Sequence, residues 1–332
     1  MAKGSTMSHH PTRRGVLAGL AALALPLRAQ AGAERLTYVT PYGFDITFYE
    51  ALIAQSAGLF AAQGLDVAIE PGQNAVQGIQ QVLAGGADLT RTVGINMLRA
   101  VADQGAPLVA IATLVPGPFF NFYAHADRPL TDPSALAGRT VGIVAHRGAT
   151  DIALDLMLIE AGVDPATVTR EIAPDTGATF ALVQAGRIDG WIGGPSTLHR
   201  MQAAGLPVSA SRIDNGIPSQ VLVATPEVID RRGDALVAYL RAIRAAVALA
   251  DSLPPADALA LLAGFDVPAL ADPAIARADL GMARGFISDS GRNRFVNAPD
   301  LWAGAVARLA GAGLMAPVAP DLLYTNALID RA

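Results

Sequence analysis

The 332-residue sequence contains no cysteine. That excludes disulfides, thiolate metal sites, cysteine nucleophiles and a lipid-anchored N-terminal cysteine. Lysine is almost as scarce, with Lys3 the only one. Phosphate loops of the Gly-Lys-Ser/Thr kind are therefore missing, and no lysine beyond position 3 can form a Schiff base. No Gly-x-Ser-x-Gly elbow occurs, and beyond the first thirty residues the histidines are His125, His146 and His199, at no metal-ligand spacing. Charged residues make up 16% of the chain, with a net charge of −5 and no basic patch, so nucleic acid is not an expected partner. No catalytic residue, cofactor or metal site is expected.

What is present is apolar: 52% of residues are hydrophobic and the mean hydropathy is +0.37. A globular chain of this length buries roughly three quarters of its unfolded surface, so it needs no covalent staples. The first thirty residues read as an address. Arg13-Arg14 precede an uncharged run from Gly15 to Leu27, and small residues follow at Ala29-Gln30-Ala31. This is the order of an export signal, too short to span a membrane. The Arg pair resembles a twin-arginine signal, with Val16 where Phe is usual, and Arg28 suits that route. Cleavage is expected near Ala31 or Ala33, with Met1 or Met7 as the start. Removing residues 1–31 leaves 20 basic and 29 acidic residues, a net charge of −9.

From residue 36 onward, β-rich and helical patterns alternate, which predicts an α/β fold with mostly parallel strands. A weak internal repeat organises it. Gly64-Leu65-Asp66 precedes a strand, a helix and Gly85-Gly86-Ala87-Asp88; Gly162-Val163-Asp164 precedes the same series, ending at Gly186-Arg187-Ile188-Asp189. Each Gly suits a left-handed helix end. Two similar lobes in tandem follow. The β-rich runs Phe119–Ala124 and Ser219–Thr225 are expected as two hinge crossovers. They give lobe 1 as 34–124 plus 225–332 and lobe 2 as 125–224, after a signal at 1–31. Residues 233–251 form an amphipathic helix through Leu236, Leu240, Ile243 and Val247.

Several stretches in order carry a resemblance. They are Phe48–Gly58 with Gly64-Leu65-Asp66-Val67, Val82–Asp88, Gly105–Ala110, Leu136–Gly142, Gly186–Gly190 and Ala319–Asn326. The chain resembles periplasmic solute-binding proteins of the ABC importers for nitrate, sulfonates, taurine and thiamine-precursor pyrimidines. The resemblance implies a type II two-lobe binding protein, monomeric and periplasmic, that passes a small solute to a permease and ATPase in the inner membrane. It departs at Asp189-Gly190-Trp191-Ile192-Gly193-Gly194-Pro195, where relatives often carry a Glu that reads a ligand amine or amide. Gly193 and Gly194 stand there instead, and either make room for a bulkier ligand or let backbone approach it.

Ligands of open α/β sheets sit beyond the C-terminal strand ends, against helix starts. That rule selects Tyr42, Phe44 and Asp45 after the first strand, and Asn74, Thr92 and Gly94 before two helices. In lobe 2 it selects His146, Arg147, Gly148, Ala149 and Thr150. A charge-assisted contact from Arg147 to a carboxylate, sulfonate or phosphate contributes about 1.5–3 kcal/mol; the alternative is that Arg147 pairs with Asp151. Ten of the 18 aromatics fall in Tyr38–Phe60 and Phe119–Tyr123. Tyr42, Phe44, Phe119 and Trp191 are candidate stacking rings, beside Asn121, Gly193 and Gly194. The expected solute is planar, aromatic or heterocyclic, with or without an acidic group for Arg147. Aliphatic sulfonate, taurine or a nitrate-type anion is the alternative. A thiamine-pyrimidine-synthase-like enzyme is disfavoured for want of Lys and Cys, and a sensor docking on a receptor stays open.

Overall fold

The alternation read from the sequence folds into two five-stranded mixed sheets. In chain order the first elements are β1 (Glu34–Val39), α1 (Tyr49–Ser56), α2 (Leu59–Ala62), β2 (Leu65–Glu70), α3 (Ala75–Leu83), β3 (Leu89–Thr92), α4 (Gly94–Gln104) and β4 (Val109–Val115). Next come β5 (Asn121–His125), β6 (Thr140–Ile143), α5 (Ala149–Glu160), β7 (Thr169–Ile172), α6 (Phe180–Gln184), β8 (Gly190–Gly193), α7 (Pro195–Ala203) and β9 (Val208–Arg212). The chain closes with β10 (Gln220–Ala224), α8 (Pro226–Ser252), α9 (Pro255–Ala260), α10 (Pro273–Ser288) and α11 (Pro299–Gly311). This computed structural model describes residues 32–288 and 294–332; the expected export signal lies outside them. Among the described residues, no helix is long and apolar enough to cross a membrane.

The sheets have matching orders, β2-β1-β3-β10-β4 and β7-β6-β8-β5-β9. In each, the first three strands are parallel and the fourth is antiparallel to both neighbours. The antiparallel strand is the one the chain brings across from the other side. Both runs expected as crossovers are thus full sheet members, β5 in the second sheet and β10 in the first. The chain passes between sheets at 116–120 and 213–219. These two passages are tied at their ends: Ile213 N donates to Phe120 O (2.9 Å) and Ser219 N to Val115 O (2.9 Å).

The repeat has a physical basis. Asp88 accepts from Thr37 N on β1 (2.7 Å), and Asp189 accepts from Thr140 N on β6 (2.9 Å). Each Asp also donates its own N–H back to the same residue's carbonyl. One carboxylate therefore closes the start of β3 on β1, and its counterpart closes β8 on β6. Gly64 and Gly162, with φ of 77° and 73°, occupy the left-handed region that lets the preceding helices turn into strands.

The first sheet is covered on one face by α1, α8 and α10, whose apolar residues share a core with Leu36, Tyr38 and Ile111. Beneath that face Arg91 of β3 is buried beside Glu50 of α1, at 2.7 Å. Arg91 also donates to Thr47 O (2.8 Å) and Gln220 Oε1 (3.0 Å). Its guanidinium lies 5.1 Å from the Phe48 ring centroid. On the other face, Ile152, Ala153 and Leu156 of α5 join a cluster with Met97 and Leu98 of α4. Apolar contact thus links the two sheet units along α4 and α5.

Candidate functional site

A cleft of about 660 Å³ opens between the two sheets, at the C-terminal ends of their parallel strands. Pro41, Tyr42 and Asp45 after β1, Gln73–Val76 at the start of α3, and Val93 and Asn96 at the start of α4 form one wall. Val144, Ala145 and Gly148–Thr150 at the start of α5, Asp175 after β7, and Gly194–Thr197 with Arg200 on α7 form the other. Phe119 and Phe120 on the first passage, with Gln220 of β10, also line it.

Local sequence explains this convergence. Asn74 caps α3, its side-chain oxygen accepting from Gln77 N (2.9 Å). Asp45 Oδ1 accepts from Thr47 N (2.9 Å) and Thr47 Oγ1 (2.8 Å), fixing the turn that follows. Thr150 Oγ1 accepts from Val144 N (3.0 Å), holding β6 to the start of α5. Pro195 opens α7, where its missing N–H costs nothing. Four helices begin at the cleft, so their positive dipole ends face it.

The chemistry of the walls is mixed. Of the five large apolar side chains that stand exposed among the described residues, three line the cleft: Tyr42 (44%), Val76 (54%) and Val144 (44%). The charged lining groups are Asp45, Asp175 and Arg200. Arg200 Nη2 lies 3.7 Å from Asp45 Oδ2, so the cleft's guanidinium already faces a carboxylate from the opposite wall. Burial pushes the Asp175 carboxyl above its usual range; the Gly194 N–H, the Thr197 hydroxyl and Arg200 oppose that shift. Among the described residues, no cluster of three or more His, Cys, Asp or Glu is placed to hold a metal.

Eight of the residues selected from the sequence line this cleft: Tyr42, Asp45, Asn74, Phe119, Gly148, Ala149, Thr150 and Gly194. The others sit elsewhere. Trp191 is fully buried on β8, packed against Tyr123 (5.0 Å between ring centroids) and Phe180, so it is a core ring and not a stacking surface. Phe44 packs edge-on against Phe265 at 5.3 Å. Thr92 is buried at the end of β3. Gly94 gives way to the second passage: a Cβ there would lie 2.1 Å from Pro218 O. Asn121 donates to Tyr123 Oη (3.3 Å) at the start of β5. His146 and Arg147 are exposed and outside the lining. Arg147 has φ of +59°, held by its own N–H donating to Asp151 Oδ2 (2.7 Å) and by Arg99 donating to its carbonyl (3.0 Å). Arg170, not Arg147, forms the ion pair with Asp151 (3.3 Å).

Gly193 and Gly194 do not open room for a ligand. Asp175 fills the space they free: a Cβ on Gly193 would lie 2.2 Å from Asp175 Oδ1, and Gly194 N donates to Asp175 Oδ2 (2.7 Å). A carboxylate from the loop after β7 thus occupies the corner between β8 and α7. Gly193→Ala is expected to destabilise the fold by roughly 1–3 kcal/mol through overpacking, and adding Asp175→Ala should restore part of it. Chemical denaturation of the two single variants and the double variant measures this coupling. Additive losses would separate the two positions.

Asp175, Arg200, Asn96 and Gln220 were not foreseen. A signal for Arg200 existed. Gly194-Pro195 marks a helix start, and positions 196, 197 and 200 then share one face of the first turns.

The family model described as NMT1/THI5 like matches residues 45–256. The chain belongs to the NMT1/THI5-like family. Among relatives, riboflavin-binding protein RibY of Chloroflexus aurantiacus is 28% identical over 143 residues, covering 42% of this chain and 40% of that protein. The 4-amino-5-hydroxymethyl-2-methylpyrimidine phosphate synthase THI13 of Saccharomyces cerevisiae is 29% identical over 155 residues, 46% of this chain and 43% of that one. The chain thus spans about two fifths of the length of the curated relatives it matches. The periplasmic nitrate-binding protein NrtA from Synechocystis PCC 6803 superposes with a TM-score of 0.68 at 13% identity, over 90% of this chain and 88% of that one. The periplasmic aliphatic sulphonate binding protein SsuA from Escherichia coli gives 0.63 at 16%, over 85% and 88%. This NMT1/THI5-like chain therefore has the periplasmic binding protein fold, as the sequence resemblance implied.

Proposed function

We propose that this chain is the solute-binding component of an ABC importer. Exported by its N-terminal signal, it captures a small planar aromatic or heterocyclic compound between its two lobes and delivers it to the permease. The observation that carries this reading is the trio of exposed apolar side chains at the cleft, Tyr42, Val76 and Val144, facing Phe119 and Phe120. Apolar surface left in water at one concave place is a binding surface waiting for an apolar partner. The walls come from both sheets, so a ligand held by one lobe is covered when the other closes, with the passages at 116–120 and 213–219 as the hinge. The similarity to a riboflavin-binding protein agrees with a planar ligand.

An acidic group on the ligand loses its expected partner, because Arg147 stands outside the lining and Arg200 already faces Asp45. An anion remains the second reading, supported by the four helix starts. A synthase reading is weaker, since no lysine or cysteine occurs after Lys3.

The test is a thermal-shift panel on residues 32–332, refolded to strip carried-over ligand, with riboflavin, pyrimidines, aromatic acids, taurine, alkanesulfonates and nitrate. A ligand at a hundred times its dissociation constant adds about 2.7 kcal/mol, a rise of a few degrees. A planar compound is expected to give that rise. A rise with sulfonate or nitrate alone would replace this reading by the anion one.

A further inference from the structure

Two neighbouring residues of α7 cross the cleft to different elements of the first lobe. Arg200 faces Asp45, and His199 Nδ1 lies 2.6 Å from Asp279 Oδ1 on α10. Helix α10 belongs to the first lobe, since Leu280, Ala283 and Ile287 sit in its core. Asp279 is fully buried, its second oxygen has no hydrogen-bond partner, and His199 is its one ion-pair partner among the described residues. On the α4–α5 flank the lobes share apolar packing, which favours a pivot. On the α7–α10 flank they meet through these two ion pairs, beside Arg212 over the Phe286 ring at 5.8 Å.

We propose that the His199–Asp279 pair is a protonation-dependent latch that holds the two lobes closed, so that external pH regulates capture at this site. The latch rests on the two-lobe reading above. An imidazolium makes a charge-assisted bond to a buried carboxylate, roughly twice as strong as the bond from a neutral ring. The contact between the ring and the buried carboxylate is thus strongest with the ring protonated, and acid favours the closed form. The charged groups facing His199 are few. Arg200 is its neighbour on α7, itself held by Asp45 from the loop after β1. Asp175, on the loop after β7, is set against Arg200 and Asp45. Arg212, at the end of β9, is turned to the Phe286 ring at 5.8 Å. On α10, Arg284 is engaged with the carbonyls of Ala250 and Leu253.

The absence of cysteine makes a direct test clean. Ala204→Cys and Ala274→Cys, both exposed, place one spin label on each side of the α7–α10 flank of residues 32–332. Pulsed dipolar spectroscopy of the ligand-free protein is expected to show the short-distance fraction rising at least threefold from pH 8 to pH 5.5. In His199→Gln and in Asp279→Asn the fraction should stay level. His199→Gln alters a side chain that is 20% exposed, so it keeps the test decisive where Asp279→Asn fails to fold. A wild-type distribution that ignores pH while riboflavin, taurine or nitrate shifts it overturns the latch alone. An equal pH response in His199→Gln also overturns it. A single distance that neither pH nor any of those three compounds moves overturns two-lobe capture together with the latch.

Discussion

Arg91→Leu is expected to destabilise the protein by ~3–5 kcal/mol, because removing one member of a buried ion pair strands the other. For a domain of this size that is a fall of roughly 5–8 °C in Tm. Arg91 and Glu50 are 2% exposed each, and Arg91 supplies the only partner of the Glu50 carboxylate among the described side chains. The loss should depend on pH in a defined direction. Burial already holds the Glu50 carboxyl above its usual range, with Arg91 opposing that shift. Without Arg91 the opposition goes and the carboxyl rises further. A carboxyl raised in the folded state contributes its stability below the unfolded value, and that contribution disappears as pH climbs through the folded value. The deficit of Arg91→Leu is therefore largest near pH 8 and smallest near pH 5, read by thermal melts at both. A deficit that is constant with pH would show that Glu50 is not its source. Arg91→Met with Glu50→Leu should recover most of the loss, since a well-packed apolar pair often matches a buried ion pair. The cleft shares in this pair: Gln220 lines it, and Arg91 fixes the Gln220 amide.

The second large effect concerns binding. Val76→Asp with Val144→Asp places one carboxylate on each wall of the cleft, at positions that are 54% and 44% exposed. Surface changes of this kind shift stability by about 0.5 kcal/mol or less, so the Tm should hold. Closing the cleft over a planar ligand would then bury both charges against apolar surface and against each other. A loss of about 3 kcal/mol, or a hundredfold in Kd, is expected for the strongest ligand of the thermal-shift panel. Calorimetric titration of the double variant and the parent measures it. Unchanged affinity would move the ligand out of this cleft.

What was legible in the sequence is what short-range physics determines. The left-handed glycines at 64 and 162 and the strand-starting Asp88 and Asp189 announce a repeat, because each acts within its own helix–strand junction. The alternation of apolar runs gave the α/β architecture for the same reason. Residues at helix starts reached the cleft wherever the helix cap was recognisable, as at Asn74 and Gly148–Thr150. The misses have a common cause. Trp191 reads as a strand-end ring, yet β8 lies at the centre of its sheet and is buried on both faces. Arg147 follows the right strand, but its left-handed backbone leaves it outside the lining. Asp175 enters the corner beside Gly193 and Gly194 from a separate loop, and no local pattern ties a carboxylate to glycines 18 and 19 residues downstream. The pairing of α7 with α10 joins residues 80 apart, and only the folded lobes bring His199 to Asp279.

Capture between two lobes is tested most directly by hydrogen exchange on residues 32–332, with and without the strongest ligand of the panel. Two-lobe capture predicts slowed exchange on both walls at once, at 41–45 and 73–76 from the first lobe and at 144–150 and 194–200 from the second. Protection confined to one lobe, or to a surface away from the cleft, would contradict it.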